Sequence, residues 1–159
     1  MLFRSGEHPL GHLRWEKGGG SLAVGETAHG SWSFKRVGFF ATRVSVRPLG
    51  SESEIALFSP GWKGDGEVLL KGGKRLLWKS TSFWKADYPL TDEAGNIVLS
   101  SHASGSITPQ TATVTLGPHA VDPATLSMLV ILAMYVGVLA MSDDADTAAM
   151  VAVLVAVSS

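Results

Sequence analysis

Residues 126–141 read LSMLVILAMYVGVLAM, and how this run is housed decides the fold. It carries no charge, and its side-chain polar groups are Ser127 and the Tyr135 hydroxyl. A helix that is apolar on every face belongs inside a protein core or inside lipid. Asp122-Pro123 suits its start: Asp caps the first free N–H groups, and Pro at the first helical position gives up no hydrogen bond. Sixteen residues rising 1.5 Å each reach about 24 Å, short of the roughly 30 Å hydrocarbon layer of a bilayer. No Lys or Arg stands near either end to snorkel or to set an orientation. Asp143, Asp144 and Asp146 then block extension of the apolar run. These features favour a helix, 123–141, threaded through the rest of the fold. A membrane tail anchor is the alternative. Gly137 in mid-helix costs about 1 kcal/mol relative to Ala, and a close approach of surrounding strands would explain it.

Upstream, from His12 to Gly117, short apolar runs alternate with turn residues, the pattern of an antiparallel β-protein. Strands are expected at 12–16, 21–26, 30–35, 39–48, 54–59, 67–71, 75–79, 83–90, 97–102, 106–108 and 111–116. Lys71-Gly72-Gly73-Lys74 is a hairpin turn whose paired glycines tolerate positive φ. Asp92-Glu93-Ala94-Gly95-Asn96 is a second turn, with Asp at its start and Gly near its close. Gly18-Gly19-Gly20 is a third, looser one. Ten or more strands close into a barrel or split into a sandwich. A barrel that wide needs something inside it. The expected fold is therefore mostly β: a closed antiparallel barrel of about 10–12 short strands around a buried hydrophobic C-terminal helix.

The 159 residues suit one domain, 1–141, followed by an apolar tail, 142–159. Val151, Val153, Val155 and Val157 alternate in that tail and favour strand, while the aspartates before it suit a helix start. Left bare, MVAVLVAV would aggregate, so it is expected to be covered by the fold or by a partner, with a homo-oligomer through this tail as one form of that. The absence of Cys excludes disulfides, thiolate metal sites and Cys nucleophiles. The first ten residues have no apolar core of a secretory signal, so a cytoplasmic location, with peripheral membrane contact, is expected.

Charge is distributed unevenly. Residues 1–85 hold all 13 Lys and Arg and net +6, and residues 86–159 net −7. The basic hairpin is the foremost candidate site: Lys71, Lys74, Arg75 and Lys79, with Lys63 and Lys85 expected nearby. A cationic hairpin tip can grip an anionic phospholipid headgroup, each charge contributing about 1 kcal/mol near a bilayer. Such lysines also keep edge strands from pairing with other chains. Arg36, Arg43 and Arg47 form a second basic set, with Arg43, Ser45 and Arg47 on one strand face. Nucleic acid is not expected, since net charge is near zero and no recognition motif is present. The histidines are scattered, and His102 near Ser100, Ser101 and Ser104 lacks a nucleophile elbow. No catalytic residue, metal site or cofactor is expected.

Further residues carry a family resemblance. Gly66-Glu67-Val68-Leu69-Leu70, the hairpin to Leu76-Leu77-Trp78, then Ser82-Phe83-Trp84-Lys85 and Tyr88-Pro89-Leu90-Thr91-Asp92 with Gly95 form a block of strand, Trp, gap, Trp, strand and D-x-x-G. This block is similar to the LURP-one-related pattern. With the helix it resembles the tubby C-terminal-like superfamily over roughly residues 10–141. That superfamily also includes tubby domains and phospholipid scramblases. The resemblance implies a closed twelve-stranded barrel with a hydrophobic helix through its centre, and phosphoinositide binding by basic residues on the barrel. The chain lacks the acidic calcium-loop cluster that scramblase-like activity would call for. A non-enzymatic binding or adaptor domain follows as the expectation, with a self-associating structural module as the alternative.

Overall fold

The computed structural model describes residues 2–5, 8–18, 20–38, 43–61, 65–79, 89–103, 111–116, 122–141 and 154–158, with side chains at 11–18, 20–38, 43–61, 65–79, 89–99 and 122–136. The chain is mostly β. In order it forms β1 (Leu2–Ser5), β2 (His8–Trp15), β3 (Ala23–Thr27), β4 (Gly30–Val37), β5 (Arg43–Pro48) and β6 (Ala56–Pro60). Then come β7 (Gly66–Leu70), β8 (Arg75–Trp78), β9 (Leu90–Asp92), β10 (Ile97–Ala103), β11 (Thr111–Leu116), α1 (Pro123–Met141) and β12 (Leu154–Ser158). Each strand lies beside its neighbour in sequence, so the sheet is a meander. The nine strands from β2 to β10 are antiparallel throughout. β1 and β11 extend this pattern, and β12 adds parallel to β11. Parallel neighbours need a long crossover, and α1 lies within it.

The turns follow from their residues. At the β7–β8 turn, Gly72 and Gly73 take φ of 103° and 95°, a region closed to most side chains. There the Gly73 N–H donates to the Leu70 carbonyl at 3.0 Å. Between β9 and β10, Asp92 Oδ1 accepts from the N–H groups of Ala94 and Asn96 at 3.0 and 2.8 Å. The Asn96 side chain and backbone bonds hold the Asp92 carboxyl below its usual pKa.

Alternation along the strands sends one face inward. Leu13, Phe34, Val44, Val46, Phe58, Val68, Leu76, Trp78 and Leu90 share a single core with α1. Trp15 packs against that core and Trp32 lies within it, while Trp62 and Trp84 lie outside the described residues. The helix begins as its sequence suggests. Asp122 Oδ2 accepts from the Thr125 N–H at 3.1 Å, and Oδ1 accepts from its hydroxyl at 2.7 Å. α1 is 19 residues long, about 28 Å, so its length discriminates less sharply between core and bilayer than the 16-residue apolar run implied. Burial carries the distinction instead. Every residue from Ile131 to Val136 is buried, as are Met128 and Leu129. Six consecutive buried residues cover more than a full turn. Among the described residues no helix is long and apolar enough to cross a membrane.

Several expectations shift. β1 was not foreseen, the expected strand 83–90 is described only from residue 89 onward, with β9 running Leu90–Asp92, and 106–108 lies outside the described residues. The surroundings of Gly137 also lie outside them, and the close approach occurs elsewhere. A Cβ built on Gly25 of β3 would stand 2.7 Å from Ile131 Cγ2. Only a residue without a side chain lets this strand sit so near the helix. At the other end of the sequence, the alternating valines deliver a strand, β12, over Leu154–Ser158.

Tyr135 is the one strongly polar side chain in the buried stretch of α1. Its hydroxyl donates to the Ser21 carbonyl. Its ring lies between Trp15, stacked at 5.7 Å, and Phe34 at 5.8 Å. Burial pushes its pKa up to about 12, against the opposing pull of the Ser21 bond and Arg36. An unfolded tyrosine ionises near pH 10. Stability from the buried neutral phenol is therefore complete below about pH 10 and is lost as pH rises towards about 12. The urea midpoint of the wild type should fall faster over this window than that of Tyr135→Phe. Parallel decline of the two proteins would contradict the assignment.

Candidate ligand-binding site

A pocket of about 500 Å³ opens where α1 begins, against the β7–β8 turn. Four segments far apart in sequence form it. Trp32 comes from β4, Ile55 from the residue before β6, and Leu70, Lys71 and Lys74 from the β7–β8 hairpin. Asp122, Ala124, Thr125 and Met128 come from the helix start. Its volume falls within the roughly 300–1,000 Å³ of small-molecule sites. Trp32, Leu70 and Met128 belong to the core and form part of its apolar lining. The lysines and Asp122 are exposed and mark the mouth.

The backbone fixes where the lysines stand. The Lys71 N–H donates to the Ile55 carbonyl at 2.9 Å, tying the hairpin turn to a residue of the same pocket. The Leu70 N–H donates to the Lys74 carbonyl at 2.8 Å. Lys74 therefore lies opposite Leu70, with the parity of the inward residues Leu76 and Trp78. Among the described residues no ion pair within 4.0 Å involves Lys71 or Lys74. Asp92 is close enough for Lys74 to help lower its pKa. Asp122 is committed to the helix cap, and the Thr125 side-chain bond first, then the backbone bond, hold its pKa low.

The sequence candidates divide accordingly. Lys71 and Lys74 meet at the pocket. Arg75 has the opposite parity and faces outward, where its Nε donates to Glu67 Oε1 at 2.7 Å. That bond and the Glu67 charge raise the guanidinium pKa. Lys79 is exposed past the far end of β8, about 13 Å along the strand direction from Arg75. Lys63 and Lys85 lie outside the described residues. In the second basic set, Arg43 and Arg47 are exposed as expected, but Ser45 between them is buried. Its hydroxyl donates to Glu54 Oε2 at 2.6 Å, so an acid covers the middle of that strand face.

Sequence reasoning did not find Trp32, Ile55, Asp122 or Met128 as partners of the lysines. No local signal could have done so, because the meander order and the helix placement bring them together. The side chains of Ser100, Ser101 and His102 lie outside the described residues, as does Ser104. No family model, curated protein or solved structure matches the chain.

Proposed function

We propose that this chain is a non-enzymatic binding domain that recognises an anionic phospholipid surface through Lys71 and Lys74. The observation that carries the reading is the pair of lysines at the mouth of an apolar pocket, without an ion-pair partner among the described residues. Two exposed ammonium groups over apolar walls match a headgroup set above acyl chains. In the same reading the sheet closes as a barrel around α1, the architecture implied by the tubby-like resemblance. Two observations support closure: the first and last strands, β1 and β12, approach within 8 Å, and α1 is buried on all sides from Ile131 to Val136. Arg75 has a smaller part, because Glu67 already neutralises it.

The test is sedimentation with vesicles of phosphatidylcholine alone or mixed with phosphatidylserine. Binding is expected only with the anionic lipid, and it should weaken as salt rises. Removing two charges worth about 1 kcal/mol each should lower affinity about thirtyfold, and reversal in Lys71→Glu/Lys74→Glu should lower it further. Arg75→Gln should change it little. Equal binding to neutral vesicles, or full binding by the charge-reversed protein, would sink the proposal.

A further inference from the structure

The lining and charge balance of the pocket specify more than a charged surface. We infer that the pocket beneath Lys71 and Lys74 takes one monoanionic amphiphile, with its head at the lysines and its chain against Trp32, Ile55, Leu70 and Met128. This inference rests on the lipid-surface reading and names what enters the site. A purely electrostatic contact would need only exposed lysines. Here the same lysines border about 500 Å³ of space. Its walls include Trp32, 5% exposed, and Met128, 1% exposed. Apolar walls with a few convergent polar groups are the usual composition of a small-ligand site.

The charge of the head follows from the titratable groups of the pocket. Two lysines face one carboxylate, Asp122. That carboxylate stays ionised, because both its oxygens accept hydrogen bonds from Thr125. One net positive charge remains in the lining and a monoanion neutralises it, while Asp92 near Lys74 weighs further against a more highly charged head. A carboxylate or a phosphodiester head meets this condition, whereas a dianionic phosphate would leave the site negative beside Asp122. Burying the chain of the ligand adds roughly 0.8 kcal/mol per methylene, so head and chain must both be present for tight binding.

Full-length protein is titrated with decanoate below its micelle concentration, and with decanol and acetate as chain without charge and head without chain. Calorimetry should give one saturable decanoate site, with decanol and acetate at least tenfold weaker. Lys71→Gln/Lys74→Gln should lose the preference for decanoate over decanol. Ala124→Phe, which narrows the pocket and leaves both lysines, should lose decanoate binding. Independently of that variant, the Met128 methyl resonance of the wild type should shift saturably with decanoate. Equal affinity for decanoate and decanol, or for decanoate and acetate, would overturn the inference. So would a Met128 resonance that stays put while decanoate binds. Vesicle binding without decanoate binding removes the pocket ligand and leaves the surface reading intact. Loss of both removes the two together.

Discussion

Truncation of Leu129 and of Ile131 to Ala, made separately, should each destabilise the protein by about 2–5 kcal/mol. The two positions are two residues apart, about 200° around the helix, and so point in nearly opposite directions. Leu129 is 0% exposed and Ile131 1% exposed. A helix lying on one face of an open sheet would show a large loss at only one of them, since surface substitutions usually stay within about 0.5 kcal/mol. Either loss would remove a large fraction of a domain stability of about 5–15 kcal/mol. Urea unfolding followed by tryptophan fluorescence measures both. A cost under about 1 kcal/mol at either position would mean that side of α1 is not enclosed.

Gly25→Ala is expected to be the next most damaging change, although it adds a single methyl group. The new Cβ would lie 2.7 Å from Ile131 Cγ2, 3.0 Å from Ile131 Cδ1 and 3.0 Å from Phe34 Cε2. Phe34 and Ile131 are themselves fully packed, at 0% and 1% exposure. Neither can swing away into solvent. Overpacking of this kind costs about 1–3 kcal/mol. The diagnostic measurement is a double-mutant cycle with Ile131→Ala. The truncated side chain vacates the space that the new methyl needs, so the combined loss should fall short of the sum by at least about 0.5 kcal/mol. Strict additivity would show that β3 and α1 do not meet at this pair.

These two sites also mark how far the sequence could be read. A buried C-terminal helix was legible, because sixteen residues without charge have few places to go and Asp122-Pro123 fixes their start. The strands from β3 to β8 were legible to within a few residues from alternation and from Gly-rich turns. Gly25 was not, because a glycine within an ordinary strand gives no sign of what it will face; Gly137 looked the better candidate by position alone. β1 is only four residues, LFRS, and too short to establish a period. At the site, the lysines were legible as a cationic hairpin. Their division was harder to foresee. Lys74 and Arg75 are adjacent in sequence, yet the pleat turns one towards the pocket and the other towards Glu67. Apart from Leu70 in the hairpin itself, the apolar half of the pocket comes from β4, the residue before β6 and α1, which only the assembled sheet brings to one place.

The crossover of α1 between β11 and β12 bears on how the chain matures during synthesis. Among the described residues, eleven strands precede the helix in order of synthesis. Hairpins between sequence neighbours close quickly, but their inward faces have no partner until Met128 to Val136 leave the ribosome. A nascent chain halted before residue 122 would expose the surface around Phe34, Phe58 and Trp78 that the finished protein hides. Such intermediates are prone to aggregation. Synthesis of the helix therefore controls whether the strands before it can bury their inward faces, and release of the chain just before Pro123 should be far more harmful than the loss of one helix suggests.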